Sequence, residues 1–146
     1  RRQEILQLDP IKVVDDFAHH PTEVTATLTG VRRRYTTGKL WALFEPRSAT
    51  ARRNVHQETY PKALALADHV LISSPHRAQE LMVEDRLSID KIVEDLKALN
   101  KDAHAFPSAD AIVEHLKGKV TKGDVIVVMS NGEFGAIQPM LLQLTV

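Results

Sequence analysis

The chain has 146 residues, with 19 basic and 19 acidic side chains and no cysteine. A balanced charge creates no field that would draw the protein to nucleic acid or to an anionic membrane, so we expect neither as a partner. Without cysteine, disulfides, thiolate catalysis and thiolate metal sites are excluded. No apolar run approaches the ~20 residues of a membrane span. A chain of this length fits one domain, residues 1–146, around one hydrophobic core.

The first part of the chain predicts three strands and one long helix. Alternating polar and apolar residues over Glu4–Leu8 are typical of an edge strand, and Ile11–Val14 is a second, apolar strand. Pro21, whose ring presets φ, begins an amphipathic helix that extends to about Tyr35. The continuous apolar run Leu40–Phe44 predicts a strand that is covered on both faces.

The middle of the chain predicts helical segments on either side of another buried strand. Ala51–Ala67 is mostly compatible with helix, and Pro61 divides it into two pieces. His69–Ile72 is the next strand. Ser88 then caps a helix whose apolar stripe extends to Leu99.

The last part of the chain predicts two strands and two helices. Ala103–Phe106 is a short strand, and Ser108 caps a helix that Gly118 closes. Asp124–Met129 is the last buried strand. A final helix carries the apolar residues of Ile137–Leu142.

Strands and helices alternate from Ile11 to the end, which predicts an α/β domain. We expect a mostly parallel sheet of about six strands, with one antiparallel edge strand from the start of the chain and helices on both faces. Parallel strands end at a common edge, and ligands bind there in open α/β sheets. The polar turns expected at that edge are Asp15–His20, Glu45–Ser48, Ser73–His76 and Ser130–Gly135.

The turn after the second strand contains Asp15, Asp16, His19 and His20, and it allows three interpretations. The side chains can satisfy backbone groups in a capped turn, bind a divalent metal, or contact a ligand, with Asp16 accepting from sugar hydroxyls. A metal held by these four alone is disfavoured, because adjacent residues point in different directions and no His-x-x-x-His spacing supplements them. We therefore assign no metal ligand.

Two further segments could bind anions. Ser130–Gly135 follows a strand and opens a helix, so its backbone N–H groups could approach a negative charge, although glycine in such a turn is also used for geometry alone. Arg47, Arg52 and Arg53 could contact carboxylates or phosphates, or lie on a solvated basic surface. No Gly-x-x-x-x-Gly-Lys-[Ser/Thr] occurs, so the usual loop that holds nucleotide phosphates is absent.

Three motifs together resemble the C-terminal domain of the Mur ligase family, over essentially the whole chain. They are Val14–Thr22 (Val-Asp-Asp-Phe-Ala-His-His-Pro-Thr), Leu43–Ser48 (Leu-Phe-Glu-Pro-Arg-Ser) and Val128–Gly135 (Val-Met-Ser-Asn-Gly-Glu-Phe-Gly). The first is shared, in close variants, with the branch that adds L-alanine to UDP-N-acetylmuramate. The other two are more specific to the branch that recycles peptides.

The resemblance implies a Rossmann-like three-layer fold and a ligase whose N-terminal UDP-sugar and central ATPase domains are absent from this chain. Such an enzyme joins the tripeptide L-Ala-γ-D-Glu-meso-diaminopimelate to UDP-N-acetylmuramate through an acyl phosphate, with ATP and Mg held mainly by the central domain. It implies a bacterial, cytoplasmic protein of peptidoglycan recycling, and an isolated chain without activity. The alternatives are the corresponding domain of the alanine-adding branch, a stand-alone ligand-binding module, or a metal-dependent phosphoesterase.

The resemblance also implies roles for individual residues, none of them catalytic. Arg2 and Asp16 match family positions that contact the nucleotide and its ribose, and His19 is grouped with them. Glu133 and Ala136 stand where small or glycine residues are commoner. The residues expected to contact the peptide are His20, Arg47, Ser48, Ser74, His76, Ser130, Asn131 and Gly132.

Overall fold

The computed structural model describes residues 1–47, 53–74 and 82–146, and these form one six-stranded sheet with helices on both faces. The strands are β1 (Glu4–Gln7), β2 (Lys12–Asp16), β3 (Leu40–Phe44), β4 (His69–Ser73), β5 (Asp102–Phe106) and β6 (Val125–Met129). The helices are α1 (Pro21–Arg34), α2 (Thr59–Leu64), α3 (Ile89–Ala98), α4 (Ala109–Leu116) and α5 (Ile137–Leu141). Single 3₁₀ turns occur at Asn54–His56, Val83–Asp85 and Phe134–Ala136.

The strand order is β1-β2-β6-β3-β4-β5. Only β1 is antiparallel to its neighbour, and the other four pairings are parallel. This confirms the predicted α/β fold with its antiparallel edge strand.

Hydrophobic side chains cover the sheet on both faces. On one face, β-strand residues such as Val14, Phe44 and Met129 pack against α1, α2 and α3. On the other face, residues such as Trp41 and Val128 pack against α4 and α5. Strands β3 and β6 are buried along their whole length, as their continuous apolar sequences predict. No helix within the described ranges is long and apolar enough to cross a membrane.

The predicted helix ends are confirmed where capping residues mark them. Pro21 is the first residue of α1. The hydroxyl oxygens of Ser88 and Ser108 accept from backbone N–H groups three residues later, at 3.1 and 3.2 Å, and so cap α3 and α4. Asn100 and Gly118 have positive φ just after those two helices, which is the conformation that ends many helices.

The structure corrects two local predictions. Pro61 does not divide a helix but lies in the first turn of α2, where a missing N–H costs nothing. Of the segment Ala51–Ala67 predicted as helical, residues 51 and 52 lie outside the described part of the chain. Leu99 and Leu142 were predicted on buried helical faces, yet they are 48% and 41% exposed because each lies just past its helix, where the chain turns away from the core.

Asp124, directly before β6, ties together the amino ends of the strands. It is buried and accepts from the Lys39 N–H at 3.0 Å and from Nε1 of Trp41 at 3.0 Å. The backbone N–H and hydroxyl of Thr121 also donate to it, at 3.0 and 3.3 Å. Burial alone would raise the pKa of Asp124, but these hydrogen bonds outweigh burial and hold the pKa below its ordinary value.

We expect Asp124→Ala to lower the free energy of unfolding by about 3 kcal/mol near neutral pH, because several buried donors lose one acceptor. The folded-state pKa of Asp124 is lowered, so its charge stabilises the fold above the unfolded value of about 4, and this stabilisation is lost as pH falls toward the folded pKa. Urea denaturation should therefore show that the free energies of unfolding of variant and parent differ less in acid than at neutral pH. Glu94→Ala, at an exposed position of α3, is the control. A difference that does not depend on pH would contradict this account.

Candidate functional site

The register of the parallel strands brings the predicted polar turns together at one edge of the sheet. Met129 of β6 pairs with Asp16 on one side and with Phe44 on the other, so β2, β6 and β3 end at the same level. Ser73 of β4 pairs with Phe106 of β5. Of the predicted site residues, Ser48 and His76 lie outside the described residues, as does Arg52.

The two neighbouring aspartates of β2 face opposite sides of the sheet, as successive strand residues must. Asp15 lies on the side of α5, where Nε2 of Gln138 approaches its Oδ1 at 3.3 Å. Asp16 lies on the side of α1. The four-residue metal site considered from sequence is therefore not assembled, because its two carboxylates diverge.

The Asp16 carboxylate is fully buried and holds the start of the chain against β2. Its Oδ2 accepts from the Gln3 N–H at 2.7 Å, and its Oδ1 accepts from the Ala18 N–H at 2.7 Å. Arg2 donates to Oδ1 at 3.3 Å, with its own side chain 60% exposed. These contacts give Asp16 a structural role. Contacts of Asp16 and Arg2 with a nucleotide stay predictions.

Glu23, in the first turn of α1, reaches back to the two histidines that precede the helix. Its Oε1 accepts from the backbone N–H groups of His19 and His20, at 3.3 and 3.1 Å, which satisfies donors at the helix start. Burial would raise the pKa of Glu23, but these two hydrogen bonds and the nearby imidazoles hold it below its ordinary value. The Tyr60 hydroxyl donates to the His19 carbonyl at 2.5 Å. Burial, reinforced by the charge of Glu23, raises the pKa of Tyr60, so this phenol stays protonated.

Arg1, to which the sequence analysis assigned no role, joins the β2 and β6 turns on the α5 side. Its Nε donates to Asp15 at 2.9 Å, and its two terminal nitrogens donate to the carbonyls of Gly132 and Ser130, at 2.7 and 3.1 Å. The guanidinium also lies over the Phe17 ring, 4.7 Å from its centroid. The Asp15 carboxylate is buried and therefore needs a nearby cation. This need is the one signal in the sequence that could have pointed to a role for Arg1.

The turn after β6 is built around a buried hydroxyl. Ser130 Oγ donates to Oε1 of Glu45 at 2.7 Å and accepts from the Gly132 N–H at 3.0 Å. Arg47 packs directly on Gly132, because a Cβ added there would lie 1.7 Å from Arg47 Cδ and 2.0 Å from its Nε. Arg47 and the Ser130–Gly132 segment, which were predicted to share an edge, are therefore in contact.

A cleft of about 520 Å³ opens beside this turn, at the carboxyl ends of β3 to β6. Arg47 and Glu133 line it, together with Ser74 and with Ser108 at the start of α4. His19 and His20 are not among its lining residues. The predicted site thus divides into two groups, one beside α1 and one in this cleft, and the roles predicted for His19, His20 and Ser74 stay predictions.

Two substitutions in the turn after β6, Ser130→Ala and Gly132→Ala, should lower the free energy of unfolding by different amounts. We expect Ser130→Ala to lower the free energy of unfolding by about 2 kcal/mol, because it leaves the buried Glu45 carboxylate without this donor. Gly132→Ala should cost less than about 1 kcal/mol, because the atoms its methyl meets belong to the flexible end of Arg47. Urea denaturation of both variants measures the difference. If Gly132→Ala lowered the free energy of unfolding more than Ser130→Ala does, the Arg47 side chain could not move aside.

Comparison with known proteins agrees with the fold and the motifs. The family described as "Mur ligase, glutamate ligase domain" matches residues 1–132. The UDP-N-acetylmuramate–L-alanyl-γ-D-glutamyl-meso-2,6-diaminoheptandioate ligase of Haemophilus influenzae is 34% identical over 97% of the chain. The UDP-N-acetylmuramate–L-alanine ligase of Acetivibrio thermocellus is 34% identical over 91% of the chain. The chain spans 30% and 28% of the lengths of these two relatives.

A solved structure gives the same result in three dimensions. The crystal structure of a murein peptide ligase from Psychrobacter arcticus matches 97% of this chain, and 29% of its own, with a TM-score of 0.80 and 34% identity. The resemblance inferred from the three motifs is thereby confirmed. The chain belongs to the Mur ligase family, in which it corresponds to the C-terminal domain.

Proposed function

We propose that this chain is the peptide-binding domain of an ATP-dependent ligase that joins L-Ala-γ-D-Glu-meso-diaminopimelate to UDP-N-acetylmuramate in the bacterial cytoplasm, for peptidoglycan recycling. The UDP-sugar and ATPase domains belong, in this proposal, to other parts of the full-length protein. The observation that carries the proposal is the cleft at the carboxyl ends of the strands, where Arg47 packs on Gly132. Such an edge is the usual ligand position in an open α/β sheet.

The charges around the cleft match the chemistry of the tripeptide, which has several carboxylates and free amines. Arg47 can hold a carboxylate through two parallel hydrogen bonds, a geometry that guanidinium provides and ammonium does not. Glu133 is exposed at the cleft and can receive an ammonium group. Ser74 adds a hydroxyl. Fixing both ends of the peptide would orient its N-terminal amine, and amide formation depends strongly on such orientation.

The nucleotide is proposed to contact the opposite side of the same edge. Arg2 has a largely exposed guanidinium, and His19 has a partly exposed ring, so both can reach a ligand. ATP supplies the phosphoryl group that activates the acid to be coupled. A ribose contact by Asp16 would require its carboxylate to exchange one of its hydrogen bonds. The sequence has no phosphate-binding loop, so the phosphates and Mg²⁺ are assigned to the ATPase domain.

A second candidate is the C-terminal domain of a UDP-N-acetylmuramate–L-alanine ligase. It is favoured by a relative of that name with the same 34% identity. The tripeptide is preferred because the cleft of about 520 Å³ is much larger than one alanine and carries charges of both signs. The two candidates differ in the substrate that binds in the cleft, which is the tripeptide in the first and L-alanine in the second.

Arg47→Lys in the full-length protein should raise the KM for the tripeptide several-fold and leave the KM for ATP nearly unchanged. Lysine keeps the charge but loses the planar pair of donors. Steady-state kinetics with each substrate varied in turn measures the two constants. Arg33→Lys, at an exposed position in the last turn of α1, is the matched control. Unchanged tripeptide kinetics in Arg47→Lys, or efficient coupling of L-alanine by the parent enzyme, would contradict the proposal.

The purified 146-residue chain should neither hydrolyse ATP nor form an amide bond, because it lacks a loop that can hold the nucleotide phosphates. Release of ADP and formation of the UDP-linked tripeptide are measured with ATP, Mg²⁺ and both substrates present. The full-length protein under the same conditions is the positive control. ATP hydrolysis by the chain alone at a comparable rate would overturn the assignment of the ATPase to another domain.

A further inference from the structure

The turn between β2 and α1 holds two imidazoles and a carboxylate close together. One ligand atom from each of His19, His20 and Glu23 lies within 4.8 Å of the other two, and all three residues are half-buried. We propose that these residues form a binding site for one transition-metal dication of the zinc class. The proposal does not depend on the ligase function, and the expectation from sequence assigned no metal ligand here.

The set of donor atoms determines which class of metal fits. Imidazole nitrogen with a single carboxylate suits Zn²⁺, Ni²⁺ and Co²⁺, whereas Mg²⁺ prefers oxygen ligands and retains several waters. Two histidines and one glutamate leave one position of a tetrahedral ion open to water or to a ligand. This set was not predicted from the sequence, because Asp15 and Asp16 were considered as the carboxylates. The carboxylate that joins the histidines comes instead from Glu23, in the first turn of α1.

The distances require only small side-chain movements. Bonds of about 2 Å place the donors of a tetrahedral ion roughly 3.3 Å apart. One ligand atom from each residue lies within 4.8 Å of the other two, and His19 Nδ1 lies 3.4 Å from Glu23 Oε1, so the side chains must close and turn by only a short distance to surround an ion. The rings of His19 and His20 already lie 4.5 Å apart, centroid to centroid. The three side chains are half-buried, so rotation about the side-chain torsions of the two histidines can supply this movement while Glu23 keeps its hydrogen bonds to the backbone N–H groups.

Hydrogen bonds around the cluster hold the ligands in a suitable state. His19 Nδ1 lies 2.8 Å from the Phe17 carbonyl oxygen and 3.4 Å from Glu23 Oε1, so in the tautomer that donates from Nδ1 to this carbonyl, Nε2 is the nitrogen that can bind a metal. The Tyr60 hydroxyl fixes the carbonyl of His19. Glu23 uses Oε1 for two backbone N–H groups, which leaves Oε2 to bind a cation.

Arg2 is the nearby positive charge that competes with a metal. One of its terminal nitrogens lies 3.9 Å from Glu23 Oε2, and its side chain is 60% exposed. A pair this long and this exposed is screened by water and salt, so it contributes little and can be displaced. Hydrogen bonds to the backbone keep the pKa of Glu23 low, so the carboxylate is charged at neutral pH.

Isothermal titration of the chain with Zn²⁺ alone tests the proposal, and Co²⁺ absorption reports the coordination geometry. We expect one Zn²⁺ per chain, with His20→Ala and Glu23→Gln each weakening binding at least about tenfold. Glu23→Gln keeps an oxygen for the two backbone donors, so the start of α1 should stay folded. Circular dichroism and the unfolding midpoint check this. The matched control is His104→Ala, a half-exposed imidazole on β5 that pairs with Asp102 at 2.8 Å.

Three results would overturn the proposal. The first is that Zn²⁺ does not bind to the parent chain at neutral pH. The second is that folded His20→Ala and Glu23→Gln variants bind Zn²⁺ as tightly as the parent. The third is that His104→Ala removes the binding, which would place the metal beside His104 and Asp102 on β5.

Discussion

The register of β6 between β2 and β3 is the constraint on which the whole functional edge depends. The last residue of β6, Met129, pairs with the last residue of each neighbour, so three polar turns leave the sheet at one level. A slip by one residue would move every side chain of β6 to the opposite face. Both ends of the strand are fixed against this, by Asp124 before it and by Ser130 after it, through hydrogen bonds to β3 and its flanking residues.

The alternation of side chains along β2 separates the edge into two regions. Arg1 pairs with Asp15 on the α5 side, and Arg2 pairs with Asp16 on the α1 side, so two neighbouring arginines hold the start of the chain to both faces. The α1 side carries the imidazoles of His19 and His20 together with Glu23. The cleft on the other side carries the charged groups suited to a peptide. The two sides of this edge therefore present different side chains, and a ligand in the cleft does not compete with one beside α1.

Local signals were enough to predict the fold. Apolar runs, capping serines and the proline at the start of α1 are read from neighbouring residues, and each of them was confirmed. The contacts that build the edge could not be read this way, because they join distant residues: Ser130 and Glu45 are 85 positions apart, and Arg1 and Gly132 are 131 positions apart. Glu23 was missed for another reason, since its helical turn folds it back onto the histidines.

The proposed position of the tripeptide is the cleft where Arg47 packs on Gly132, and a crystal structure of the full-length protein with L-Ala-γ-D-Glu-meso-diaminopimelate bound would test it. We expect a peptide carboxylate within hydrogen-bonding distance of the Arg47 guanidinium, and the peptide amine directed out of the cleft toward the acid to be coupled. A tripeptide bound beside α1, or away from the carboxyl ends of β3 to β6, would contradict it.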